Sequence, residues 1–240
     1  MDVGDAVGFA VGGLDGKAEG CIDTRPVDSI REHKKPIRST TFLSLGLGPR
    51  GTSRQYYRYY DSLYYAALQF GAEAKSGIEV GCAADPFLKH LDWIDKRVCV
   101  APYFAHYNKA GKSDGTAMHG KEKEIISVQA DFMEYSPPHN GTFDYDLLIC
   151  SQVLEHVPDP ALFMKKLIST AKVSIISVPY DWGPCEKCGH ITNHITYEML
   201  LEWSEPYLPI FSSVVIEKHL EQRVVDRMGR MILVFTNTAA

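Results

Sequence analysis

From about residue 77 onward, apolar and polar positions fall into alternating blocks that read as strands followed by helices. Ile78–Gly81, Arg97–Ala101, Ile125–Ala130, Tyr145–Cys150 and Val173–Val178 are short apolar runs, as expected of strands buried on both faces of a parallel sheet. Pro86 to Ile94 predicts a short helix, with Asp85 as its cap and Pro86 at the first helical position. Asp159-Pro160 opens a helix that runs to about Thr170, and another spans Thr196 to Ser204. Pro179 is expected to halt the fifth strand. Ser212–Lys218 and Met231–Thr236 predict an antiparallel hairpin. Ahead of the first strand, Ser53 to about Phe70 predicts a helix, capped by Thr52 or Ser53 and ended by Gly71. Tyrosines at 56, 57, 59, 60, 64 and 65 give this helix a wide aromatic surface for packing on the sheet, part of which could line a pocket mouth. Tyr103–Lys123 is polar and Gly-containing and reads as a loop, and Ser136–Gly141 reads as a turn.

Strands alternating with helices of this length need right-handed crossovers. The expected fold is therefore α/β: a doubly wound, mostly parallel seven-stranded sheet with a C-terminal antiparallel hairpin strand. In such sheets ligands sit beyond the carboxyl ends of the strands. Two of the runs stop abruptly at small or polar residues, at Gly81-Cys82 and at Ser151-Gln152, which suggests one shared crevice.

Composition narrows the classes. The 240 residues are 45% hydrophobic, ample for one core plus an extension. A formal net charge of −5 argues against a general binder of nucleic acid or of anionic membranes. No apolar run approaches the roughly 20 residues of a membrane span. Residues 1–50 lack a sustained period and read as a flexible arm ahead of a domain at 51–240. The six cysteines are scattered; Cys82, Cys99 and Cys150 fall in or beside apolar runs, where a thiol behaves as a small hydrophobe. A reduced, cytoplasmic setting is expected.

Three motifs resemble those of class I S-adenosylmethionine (SAM) dependent methyltransferases, over the stretch from about Thr52 to the end. Glu79-Val-Gly-Cys-Ala-Ala-Asp85 stands where that family has an acidic residue and a Gly-x-Gly-x-Gly run. Ala130-Asp131-Phe132 matches its acidic residue after strand three, and Tyr145-Asp-Leu-Leu-Ile-Cys-Ser-Gln-Val-Leu-Glu-His-Val157 matches its fourth motif closely. The resemblance implies a Rossmann-like methyltransferase fold, SAM as cofactor and a small-molecule acceptor. It implies that Glu79, Gly81, Cys82, Ala83 and Asp85 border the cofactor. Gly81 would allow close backbone approach, and Asp85 would bring a carboxylate near the ammonium or sulfonium. Asp131 would accept from the adenine amine, Phe132 would flank the ring, and Ser151 and Gln152 would border the methionyl half. Ala101 stands where the family has a ribose-binding acid. Glu155 and His156 are expected to orient their loop and pack beneath it.

The Cys185-Glu-Lys-Cys188-Gly-His190-Ile-Thr-Asn-His194 segment leaves alternatives open. Cys185, Cys188, His190 and His194 form a donor set of the kind zinc takes. Alternatively His190 and His194, with Tyr180, serve the acceptor as base or contact, because this loop covers the acceptor pocket in the resembling family. The altered glycine loop and Ala101 also allow a non-catalytic binding or regulatory relative. A third reading, a methyltransferase acting on RNA or protein, would use the basic residues of the arm.

Overall fold

The computed structural model describes residues 58–82, 86–102, 124–137, 144–184, 188–218 and 227–237. These all lie in Leu43–Ala240, the second of two units into which the chain divides. The expected arm at 1–50 falls outside the described residues, as do Ala83, Asp85 and Cys185.

Helix α1 (Arg58–Gly71) leads into strand β1 (Ser76–Val80). Strands β2 (Lys96–Ala101), β3 (Ile125–Gln129) and β4 (Tyr145–Ser151) follow. Then come helix α2 (Pro160–Thr170), strand β5 (Ala171–Tyr180), helix α3 (Tyr197–Ser204) and strands β6 (Phe211–Lys218) and β7 (Arg227–Thr236). The seven strands form one sheet in the order β3-β2-β1-β4-β5-β7-β6. The first five are parallel, and β7 enters antiparallel between β5 and β6. The expected fold class is the one found.

Alternate residues of the central strands feed two cores, as the two-residue period of a strand requires. Leu147, Ile149 and Ile175 face α1, packing with Tyr59, Leu63, Ala66 and Ala67. Leu148, Cys150, Ile176 and Val178 face the opposite layer, with Phe163, Met164, Leu167 and Ile168 of α2 and Leu200 of α3. The helix starts follow their caps: Asp159 accepts from Leu162 N–H at 2.9 Å, and Thr196 accepts from Met199 N–H at 3.4 Å. At the amino ends of the strands the Asp146 carboxylate takes the N–H groups of Lys75 and Ser76, the Ser76 hydroxyl and the Lys172 ammonium. Partial burial alone would raise its pKa, but these donors hold it down at about 2.

Two local expectations change. Pro86 to Ile94 holds a single 3-10 turn, Phe87–His90, with Pro86 at the capping position rather than inside a helix. Pro179 does not stop β5, which runs on to Tyr180 paired with β7. Pairing of β4 with β5 ends at Ser151 and Ser177, so beyond that point one edge of β5 needs no backbone donor and proline is tolerated.

Candidate active site

The described sequence-predicted residues lie at the carboxyl ends of β1, β2, β3, β4 and β5 and in the loops that follow them. Gly81 follows β1 with φ of +77°, and its N–H donates to Val100 O at 2.8 Å. A Cβ there would overlap Val153 Cγ2, so the β1 end and the loop after β4 touch only because residue 81 is glycine. Glu79 is buried and its carboxylate accepts the Leu88 N–H at 2.9 Å. Burial pushes its pKa up to about 7, against the pull of the Leu88 and Phe87 amides.

Cys82 is joined to Cys99 by a disulfide, beside the buried Ala101. This corrects the reading of those two thiols as reduced hydrophobes; neighbouring parallel strands bring their Cα atoms to 6.0 Å, within disulfide reach. The described free cysteine is the buried Cys150.

Asp131 is exposed just past β3 and accepts the Met133 N–H at 2.8 Å, an Asx turn that fixes one carboxylate oxygen. Phe132 points the other way, into the core, 5.4 Å from the Phe163 ring and under the Lys166 ammonium. It therefore supports the Asp131 turn from below and does not lie open for an adenine ring.

The strand ends carry unusual backbone. Gln152, Asp181 and His194 all have positive φ, between 51° and 57°. Left-handed conformations at non-glycine residues cost free energy and concentrate at functional sites. Gln152 is held by its N–H on Ser177 O at 2.9 Å, while its buried side-chain Nε2 has no protein acceptor. A buried donor with no acceptor suits a ligand oxygen. Asp181 N–H donates to Ile195 O, and His194 N–H to Trp182 O. This closes the loop after β5 and sets His194 Nδ1 3.1 Å from Asp181 Oδ1.

Three residues the sequence reading did not single out, Ser177, Arg230 and Trp182, gather here with Tyr59 and Tyr180. The Tyr59 hydroxyl bonds Ser151 Oγ at 2.5 Å and also meets Ser177 Oγ. Burial raises the Tyr59 pKa well above the ordinary range, so it remains a neutral phenol. Arg230, only 6% exposed, lies over the Tyr59 ring at 5.1 Å and over the Trp182 ring at 5.2 Å. Trp182 donates to Gly229 O at 2.6 Å. Tyr180 packs closely on Gly229, where a Cβ would meet its carbonyl oxygen at 3.4 Å. The signals existed: a tyrosine-dense helix and an arginine directly before the apolar run Met231–Phe235. Neither said what the side chain would meet.

Among the described residues the expected zinc set is not assembled. Cys188 is disulfide-bonded, so its sulfur is no thiolate donor, and Cys185 lies outside the described residues. His194 turns to Asp181 while His190 faces the His156 and Trp182 rings. Among the described residues, Glu155, His156 and His190 come together instead, with one ligand-type atom of each within 4.8 Å of the others. Burial pushes the Glu155 pKa up to about 7, and burial followed by the neighbouring His156 lowers that of His190.

Residues 53–212 match a family model described as a methyltransferase domain. Among solved structures, the chain is similar to a SAM-dependent methyltransferase from Methanosarcina mazei, with 13% identity over 73% of this chain and 96% of that one, at a TM-score of 0.53. It is similar to magnesium protoporphyrin IX methyltransferase from Synechocystis PCC 6803 with bound SAM, with 11% identity over 75% and 80% of the two chains, at a TM-score of 0.50. It is also similar to small RNA methyltransferase HEN1, with 15% identity over 75% of this chain and 25% of that one, at a TM-score of 0.50. No curated protein matches. Among the described residues no helix is long and apolar enough to cross a membrane. With the family model covering two thirds of its length, the chain belongs to the methyltransferase-domain family and is a class I SAM-dependent methyltransferase.

Proposed function

We propose that this enzyme binds SAM across the carboxyl ends of β1 and β4 and methylates a small-molecule acceptor beside the loop that follows β5. The observation that carries the reading is the buried, acceptor-free Nε2 of Gln152 beside a glycine that admits no side chain. That donor suits the carboxylate of the cofactor's amino acid head. SAM, when bound, supplies a methyl group already activated by a sulfonium. Gly81 keeps the backbone close, Ser151 and Gln152 border the methionyl half, and Asp131 keeps a carboxylate oxygen for the adenine amine. Ala101 offers no acid to the ribose. Glu79, engaged by the Leu88 amide, shapes the β1 loop rather than touching ligand.

His194 is the proton acceptor in this reading. Its Nδ1–H donates to Asp181, which leaves the Nε2 lone pair for an acceptor O–H or N–H. Tyr180 and Trp182 flank the same loop. An acidic chain favours a small acceptor over RNA, although solved relatives of this fold include both kinds.

The test is calorimetric titration of the full chain with SAM and with its demethylated product. Saturable heat with either is expected, and silence with both on folded protein overturns the reading. Incubation with methyl-labelled SAM and fractionated cell extract then separates acceptors. Label should enter the small-molecule fraction in a His194-dependent way, and label confined to RNA or protein would replace the acceptor class.

A further inference from the structure

We infer that Glu155, His156 and His190 form a binding site for one divalent first-row transition ion, with positions left open for a ligand from the cleft. The donor set is the first ground. Two imidazoles and one carboxylate are the combination such ions take when a coordination position is kept free. The loops after β4 and β5 deliver one ligand-type atom from each residue within 4.8 Å of the other two. A tetrahedral ion with ligand bonds of about 2.1 Å places donor atoms about 3.4 Å apart, so closing the set needs side-chain rotation and no refolding.

The second ground is the state of those atoms. Glu155 is 1% exposed, and its Oε2 is buried with no hydrogen-bond partner. An orphaned carboxylate oxygen in the interior is costly unless something cationic meets it. Its other oxygen faces His156 Nε2 at 3.8 Å, too long for a hydrogen bond and suited to two atoms sharing an ion. His156 Nδ1 meets Gly189 O at 3.0 Å. A carbonyl can only accept, so Nδ1 carries the proton and the Nε2 lone pair points toward Glu155. Metal-binding histidines are commonly oriented by such a bond on the far nitrogen.

The third ground is preorganisation. The Glu155 carbonyl accepts the N–H groups of Ile191 at 2.7 Å and Thr192 at 3.1 Å. The segment bearing His190 is thereby tied to the segment bearing Glu155, and the His156 and His190 rings stand 5.0 Å apart. The site differs from the cysteine-containing set expected from sequence and shares only His190 with it. It stands on these ligands alone and holds whether or not the acceptor proposed above is right. An ion there would sit by the carboxyl ends of β4 and β5 and could take an oxygen donor of the acceptor.

The test uses the full chain, stripped with chelator and titrated separately with zinc and with cobalt(II). One ion per chain is expected, with visible cobalt absorption of nitrogen and oxygen ligands and no thiolate charge-transfer band. His156→Ala and His190→Ala, each verified as folded by circular dichroism, should bind at least tenfold more weakly. Glu155→Gln tests the carboxylate; should it fail to fold, the two histidine variants decide alone. His194→Ala should bind like the wild type. No saturable binding by the wild type overturns the site, as does a thiolate band or undiminished binding by both histidine variants.

Discussion

The hydroxyl of Tyr59 meets the hydroxyl of Ser151 at 2.5 Å across 92 residues of sequence, and touches Ser177 from the same position. One side chain at the start of α1 thus ties together the carboxyl ends of β4 and β5, between the proposed cofactor and acceptor sides of the site. Tyr59→Phe should keep the fold and the ring contacts with Arg230 and Tyr60. It leaves the buried Ser177 hydroxyl short of a partner, a loss of about 1–3 kcal/mol. Urea unfolding should show a lower midpoint with an unchanged slope. A midpoint equal to that of wild type would mean the three hydroxyls contribute no net stability.

Gly81→Ala should damage both stability and cofactor binding. The new methyl group meets Val153, and φ of +77° penalises any side chain by about 1–2 kcal/mol. The two costs separate in a double mutant: Gly81→Ala with Val153→Ala removes the overlap and keeps the backbone penalty. Thermal melts should therefore show partial recovery in the double mutant, measured against Val153→Ala alone. Full recovery would mean the backbone angle costs nothing.

Glu79 gives stability a pH dependence of defined sign. Its folded pKa, about 7, lies above the model-peptide range near 4.3. The buried carboxyl thus favours the fold fully below about pH 4, and that contribution is lost as pH rises through about 7. Glu79→Gln retains an acceptor for the Leu88 amide and cannot ionise. Unfolding free energies measured from pH 4 to 8 should decline for both proteins, because Glu155 also titrates near 7, but less steeply for the variant, by a difference on the order of 3 kcal/mol. Parallel curves for the two proteins would place the titration elsewhere.

Gln152→Ala separates binding from folding. Its Nε2 has no protein partner, so thermal stability should change little. SAM affinity should fall about tenfold to a hundredfold in titration calorimetry, the loss of one hydrogen bond to a charged group. Unchanged affinity would remove Gln152 from the cofactor's contacts.

His194→Ala and Asp181→Asn should lower kcat while leaving SAM affinity within about twofold, because both act on the proton of the acceptor. His194→Ala should be the more severe, since asparagine at 181 still orients the ring. Equal turnover by wild type and His194→Ala would end the base assignment.

The strand-by-strand order of this protein was legible because buried parallel strands leave continuous apolar runs, and Asp159 and Thr196 mark helix starts by a local hydrogen bond. Gly81, Asp131, Ser151 and Gln152 could be placed at strand ends for the same reason: a ligand-facing turn interrupts an apolar run at a fixed point. The sequence by itself therefore determined the sheet, its parallel half and the edge at which the candidate site residues lie. It did not determine which side chains meet there. Tyr59, Arg230 and Trp182 come from three distant segments, and their stacking depends on α1 and β7 docking beside β5, a matter of packing that no local period encodes. The same reason explains the two reassignments. Cys82 and Cys99 read as hydrophobes until parallel pairing set them side by side. Glu155 and His156 read as loop support until the backbone of Ile191 and Thr192 brought His190 to them. Spacing along a chain ranks candidate ligands, whereas convergence in space, which only the tertiary structure supplies, chooses among them.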